Sequence, residues 1–366
     1  MGTAKFRKLG AALGGIAMLC AAGSSAALAD DKIVAPQVNK YVSTISSEIA
    51  LVQARLDVKA NGSPSNVQIT GGYYPPGMDK NVTSTINAWT FKPATVNGTP
   101  ADWYNYNVDI ALGGAMVPGA SSNSITTDFY SRTHTVPGLI TSKQFAQAKT
   151  LIDGLIAARK ITTLPDYALA EGYLAEAELG LGHNQAALDD EKRADTTALR
   201  DFGNGRYAPM PLLPGNLLMK GLNLEFFVER QMGLFKEAMA TYARMGAVFD
   251  ILPGQKPRPI AIDPQIKAQA DALKAAIDAD DPLVFGGAIE DSAFTFSPPR
   301  LTLTITNLKG TIDHIDAACD LHKATIPFQA DVEWTLPSAW GNCELAVAGA
   351  PGTTFTVVEF KHPNGN

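Results

Sequence analysis

Period-two alternation is the first strong pattern in the chain. Val52, Ala54, Leu56 and Val58 alternate with Gln53, Arg55, Asp57 and Lys59, as in a strand with one buried face. Asn61-Gly62 is a hairpin signal, and Val67 and Ile69 begin a return strand. Past Pro75-Pro76-Gly77 the spacing lengthens, and Met78, Val82, Ile86 and Trp89 form one apolar stripe at helical intervals. After Asn97-Gly98 alternation returns, with Tyr104, Tyr106, Val108 and Ile110 expected on the core face and Trp103, Asn105, Asn107 and Asp109 opposite. Residues 49–112 therefore read as a β-β-α-β domain preceded by a lead segment at 30–48.

Residues 113–140 carry Gly113-Gly114, Pro118-Gly119 and Pro137-Gly138 without periodicity and read as a linker. From 141 to 280 the period is helical. Phe145, Ala148, Ile152 and Leu155 share one face, as do Tyr173, Leu174, Ala177 and Leu181; Asp263-Pro264 is a helix start ahead of Ile266, Leu273 and Ile277. Pro282, Gly286-Gly287 and Pro298-Pro299 make 281–300 a second linker. Beyond it Leu301, Leu303 and Ile305 alternate with threonines, and further β-like runs follow to the end, so 301–366 reads as a small all-β domain. The expected fold class is multi-domain α+β.

Trp89, Phe91, Pro93 and Ala94 form a W-x-F-x-P-A run, and Asn97, Gly98 and Pro100 an N-G-x-P run, directly after the β-β-α pattern. In motif and element order, residues 49–112 resemble the C-terminal domain of TonB energy transducers. That resemblance implies a last strand, here Trp103 to Leu112, that receives an extended partner by strand addition, since an edge strand offers unpaired backbone groups. It makes Trp103, Asn105, Asn107 and Asp109 the candidate partner-binding residues. Transducers also have an uncleaved anchor and a proline-rich spacer, neither of which the sequence shows. In the helical region Gly182, Ala187 and Ala194, with Tyr173 and Leu174 before them, resemble a tetratricopeptide repeat. Gly233 and Ala238 mark a degenerate second copy, separated from the first by an insertion near Phe202 to Pro214. The closing segment around Trp334 to Cys343 is similar to the small β module that follows such regions in some bacterial envelope proteins.

The N-terminus adds a compartment. Lys5, Arg7 and Lys8, a weakly apolar stretch and Ala27-Leu28-Ala29 have the order of a cleaved secretory signal over 1–29, with an uncleaved inner-membrane anchor as the alternative. Cleavage makes the formal net charge of −6 three units more negative, which argues against nucleic acid as a partner. It also removes Cys20 and leaves Cys319 and Cys343, an even pair that reads as a disulfide in an oxidising compartment. His314, Cys319, His322 and Cys343 have the residue types to hold zinc instead, but export to an oxidising compartment and the absence of a paired C-x-x-C argue against it.

Asp189-Asp190 and Asp280-Asp281 read as solvated helix ends, and His134, His183 and His362 as isolated solvated side chains. No nucleophile elbow, H-E-x-x-H, P-loop or dinucleotide fingerprint is present. No cofactor is expected. The reading is a periplasmic, non-enzymatic adaptor whose partners are envelope proteins, outer-membrane receptors or TonB-system proteins among them. The alternatives are a component of TonB-dependent transport across the outer membrane, and a hydrolase with an unrecognised site in the C-terminal module. N-terminal sequencing of the exported protein should begin at Asp30, and retention of Met1 in a membrane fraction would sink the cleaved-signal reading.

Overall fold

In the computed structural model, residues 32–41, 49–112, 125–201, 207–250 and 256–361 are described. The expected signal segment 1–29, residues 113–124 of the first linker and His362 lie outside them. Two short strands come first, β1 (Ile33–Val34) and β2 (Gln37–Lys40). The expected β-β-α order then follows as β3 (Ala50–Val58), β4 (Pro64–Tyr73) and α1 (Met78–Asn87). The W-x-F-x-P-A and N-G-x-P runs form β5 (Thr90–Lys92), β6 (Ala94–Val96) and β7 (Thr99–Ala101), and β8 (Trp103–Leu112) returns across the sheet. The lead segment pairs with the motif segment, β1 against β6 and β2 against β5.

The motif residues build this corner. Trp89 and Phe91 are buried beneath α1 with Val82 and Ile86, and Ala94 is buried as well. Asn97 and Gly98 turn the chain with positive φ of 52° and 83°, which Asn and Gly tolerate best. Pro100 sits on β7 opposite Thr95. Gly62 has φ of 81°, and a Cβ there would lie 2.2 Å from the Phe91 carbonyl oxygen. Only glycine lets the β3–β4 turn approach so closely that Phe91 N–H donates to the Gly62 carbonyl.

The helical region starts earlier than its sequence pattern indicates. Within the expected first linker, α2 (Thr127–Thr133) and α3 (Val136–Thr141) form. Thr126 caps α2 through its hydroxyl, itself bonded to buried Asp166, and Phe129 and Val136 enter the core. Next come α4 (Phe145–Ala157), α5 (Leu164–Leu181) and α6 (Asn184–Ala194). Thr163 caps the start of α5, which ends on left-handed Gly182 and is buried along most of its length. The expected insertion holds β10 (Tyr207–Pro211), which pairs antiparallel with β9 (Thr197–Asp201) just ahead of it. A second helical pair, α7 (Gly215–Gln231) and α8 (Phe235–Met245), precedes the ribbon β11 (Phe249–Asp250) and β12 (Arg258–Pro259). Then α9 (Pro264–Asp278) begins on the Asp263 cap. No helix of the described residues is long and apolar enough to cross a membrane.

The second expected linker is not one either, since it holds β13 (Leu283–Ala288) and β14 (Ala293–Phe296). Glycines are compatible with a strand here because the Phe355 ring fills the space beside Gly287, where a Cβ would come within 2.4 Å. With β15 (Thr302–Lys309), β16 (Ile312–Cys319), β17 (Lys323–Pro327), β18 (Trp334–Thr335), β19 (Cys343–Gly349) and β20 (Thr354–Phe360), these strands make two four-stranded sheets. Their orders are β13-β20-β15-β18 and β14-β19-β16-β17. Cys319 and Cys343 are cross-strand partners on β16 and β19 and form the expected disulfide.

The modules read from the sequence share cores. β9 joins β8 in parallel, so the first sheet runs β10-β9-β8-β3-β4. Leu51 and Tyr73 pack into the helical core, with Tyr73 stacked on Tyr167 at 4.8 Å. Leu188, Val228 and Leu234 pack into the core of the β-sandwich, and Phe235 meets Phe285 edge-on at 5.4 Å. Buried Arg300 ties the sandwich to α9: its guanidinium donates to the carbonyls of Ala276, Ile277, Ala279 and Asp281, and its backbone N–H to Glu359. A cation at a helix C-terminus answers carbonyls that have no partner within the helix. Replacing Arg300 with alanine should lower the unfolding free energy by about 3 kcal/mol, because the desolvated carbonyls lose their donor; urea denaturation checks this.

Candidate functional site

The face of β3 and β8 away from α1 looks onto a polar cleft. Gln53, Arg55, Asn107 and Asp109 floor it, helices α6, α7 and α8 form one wall, and the disulfide end of the sandwich forms the other. It has two lobes, of about 270 Å3 and about 700 Å3, which share Arg55 and Asn107. Arg55 Nε donates to Asn107 Oδ1 at 3.3 Å, and its terminal nitrogen pairs with Glu344 at 3.4 Å.

Three of the four residues expected on the partner-binding face reach this cleft: Asn105 lines the smaller lobe, Asp109 the larger, and Asn107 both. Trp103 does not. It packs toward the core beneath α1, while Tyr104, expected in that core, lines the smaller lobe. The parity changes because Asn105 is left-handed, with φ of 56°, and the β3–β8 register slips between Leu56 and Val58. Such a bulge inserts a residue and reverses which side chains face the core. Asp57 Oδ1 accepts the Asn105 N–H at 3.3 Å, and Lys59 and Lys323 lie over the Tyr104 ring at 5.8 and 5.4 Å.

β8 is also not the edge that the sequence pattern implies. β3 flanks one side, β9 joins the other at Ile110, and Tyr104 N–H donates to the Asp320 carbonyl at 2.9 Å. Both ends of that second side are thus occupied, leaving its middle to the cleft.

Charge fills the helical wall. Arg244 bridges Asp195 at 2.8 Å and Glu225 at 3.2 Å, and Arg193 bonds Glu171 at 2.8 Å and also Asp190. Carboxylates outnumber these cations. Burial pushes Asp190 up to about 7, with the Glu171 and Glu178 charges adding to it, and pushes Glu191 and Glu229 up to about 8, with Glu225 adding to both. Burial likewise raises Asp109, although a Gln53 hydrogen bond opposes it. At the start of α8, burial draws Lys236 down while its Nζ donates to Asn342 Oδ1 at 2.9 Å.

The sequence reading of Asp189-Asp190 as solvated holds for Asp189 only, since Asp190 is buried; Asp280 and Asp281 are exposed. His134 and His183 are exposed, with His183 bonded to Glu178. His314 pairs with Asp316 and His322 stacks on Trp340, and no group suited to a metal ion occurs among the described residues. The cleft residues Arg55, Glu225, Lys236, Glu237 and Arg244 were not foreseen. Charged residues at helical positions next to Phe226 and Phe235 were the available signal for three of them. Compared with known proteins, the chain matches no family model, and no curated protein is a significant match.

The raised carboxyls make stability pH-dependent. A carboxyl whose folded pKa lies above its unfolded value near 4 keeps a proton that the unfolded chain has lost. Between about pH 4 and 8 each rise in pH therefore favours unfolding through Asp190, Glu191 and Glu229. The melting temperature should be higher at pH 5.5 than at pH 8.5, and Glu229→Gln should flatten the difference; a profile rising toward pH 8.5 would contradict it.

Proposed function

We propose that this chain is a non-enzymatic protein-binding adaptor of the cell envelope, exported to the periplasm by a cleaved signal, and that it holds an extended partner segment in the cleft beside β8. The observation that carries this reading is the convergence on one cleft of Asn105, Asn107 and Asp109, three of the residues that the TonB-like pattern marks for partner contact, with walls from the helices and the sandwich. The β-β-α-β order of residues 49–112 and the paired helices α5–α6 and α7–α8 support the TonB-C-like and repeat-like resemblance. Binding differs from simple strand addition. With β9 and Asp320 already on the second side of β8, a partner would be held chiefly by side chains in the middle of the strand and by the two walls.

Site-specific photo-crosslinking in intact cells tests this. A photo-reactive residue at Asn107 should capture a discrete protein, whereas one at exposed Lys80 on α1 should not. Equal capture from both positions, or none from Asn107, refutes the reading. Capture of an outer-membrane receptor or a TonB-system protein would place the adaptor in TonB-dependent transport.

A further inference from the structure

Two Asn-Gly pairs fall among the described residues, Asn61-Gly62 in the β3–β4 turn and Asn97-Gly98 in the β6–β7 turn. Such a pair carries a reaction of its own: the glycine nitrogen, unhindered by a side chain, attacks the asparagine amide carbon and expels ammonia. The attack needs a glycine N–H that water can reach and deprotonate, and a turn with room to rearrange. The first turn offers neither. Gly62 is buried, its N–H donates to the Lys59 carbonyl at 2.8 Å, and its carbonyl accepts the Phe91 N–H at 2.8 Å. Asn61 Oδ1 accepts both the N–H and the hydroxyl of Ser63, at 2.9 and 2.7 Å. The second turn offers both. Asn97 and Gly98 are exposed, no atom beyond the chain neighbours lies within 4 Å of where a Gly98 Cβ would be, and the Gly98 N–H makes no hydrogen bond among the described residues. Asn97 Oδ1 accepts the Lys32 N–H at 3.0 Å, and the Asn97 N–H donates to the Lys32 carbonyl at 3.0 Å. Those bonds tie the turn to the lead segment, whose two-residue strand β1 opens at small cost.

We infer that Asn97-Gly98 is a site of spontaneous deamidation in the folded chain, that Asn61-Gly62 is protected from it, and that the isoaspartyl product frees the lead segment. The Gly98 nitrogen gives up its proton and bonds to Asn97 Cγ; the Cγ–Nδ2 bond breaks, and the amide nitrogen takes up a proton and leaves as ammonia. Water then opens the cyclic imide at one of its two carbonyls, so that in sum one water enters and one ammonia departs. Opening at Cγ restores the ordinary backbone with an aspartate. Opening at the Asn97 backbone carbonyl leaves Gly98 joined through Cγ, as isoaspartate, with one more methylene in the main chain. The two-residue turn sets the pairing of Val96 with Thr99 and uses positive φ at both of its residues. A longer main chain cannot close it in the same way, and the oxygen that accepted the Lys32 N–H then belongs to the backbone. Strand β1, paired through Ile33 with Val96 and Val34 with Thr95, loses the bonds that seat it. The aspartate product keeps a carboxylate oxygen for Lys32 and leaves the turn its length.

Incubation of the full chain at pH 8.5, followed by peptide mapping with mass spectrometry, tests the site. The peptide holding Asn97 should gain the mass difference between amide and acid about 10-fold faster than the peptide holding Asn61, the ratio that about 1.4 kcal/mol of barrier gives. In urea the two rates should converge, because only the fold separates them. Equal rates in the folded chain, no conversion at Asn97, or a difference that persists in urea overturns the assignment. The isoaspartyl chain, separated by ion exchange, is then compared with an Asn97→Asp variant by hydrogen exchange. The isoaspartyl chain should lose protection across Lys32 to Val34, whereas Asn97→Asp should keep it. An isoaspartyl chain as protected as the native one overturns the release of the lead segment. Equal loss in Asn97→Asp traces the release to the new charge and overturns the role of the lengthened backbone.

Discussion

The carboxylate of Asp57 holds together the part of the molecule on which the cleft depends. It is 2% exposed, at the end of β3, and it accepts from the Asn105 backbone on β8, the Asn66 side chain on β4 and Lys323 on β17. Asn66 and Asn105 both have positive φ, so each neighbouring strand is irregular where it meets this group. Without a buried acceptor at this point the displaced N–H of Asn105 would have to find another partner or go without one, and regular pairing would return Tyr104 to the core. Lys323 brings the sandwich into the same arrangement. The ion pair closes at 2.9 Å and places the lysine over the Tyr104 ring. One side chain thus sets the path of two strands and anchors the wall that faces them.

How far the sequence could be read depended on whether an element is governed by its own neighbours or by distant ones. The stripe Val82, Ile86 and Trp89, the Asn61-Gly62 turn, the Asp263-Pro264 helix start and the disulfide are local or compartmental signals, and all appear as expected. The misreadings have non-local causes. Nothing near Trp103 reports that the strand will bulge, because the acceptor that stabilises the bulge lies 48 residues away in sequence. Strand β13 was hidden by Gly286-Gly287, although Leu283 and Phe285 alternate with exposed neighbours and the missing side chains are replaced by Phe355. The edge of β8 looked open because its cover, β9, comes from a hairpin inserted between two helical pairs. Of the cleft, the β8 contribution was legible and the opposing walls were not.

The helical wall combines structural and recognition demands in a way that composition conceals. Glu191, Glu225 and Glu229 sit on helices that share a buried interface, where aliphatic residues would pack more simply. Arg244 neutralises part of this charge at Glu225, and burial pushes Glu191 and Glu229 up to about 8. Breaking such pairs is costly even when forming them contributes little net stability. Of these groups Glu225 lines the cleft, beside Arg193 and Arg244.

The last strand, β20, lies between β13 and β15 rather than at the rim of its sheet. A chain emerging from the ribosome therefore synthesises both outer neighbours long before the segment that joins them. Until Thr354–Phe360 has cleared the exit tunnel, β13 has no partner in its sheet and β15 pairs only with the two residues of β18. Completion of the sandwich waits for Thr354–Phe360, and a product truncated before them would lose the middle of a sheet and leave two unsatisfied edges exposed to other chains.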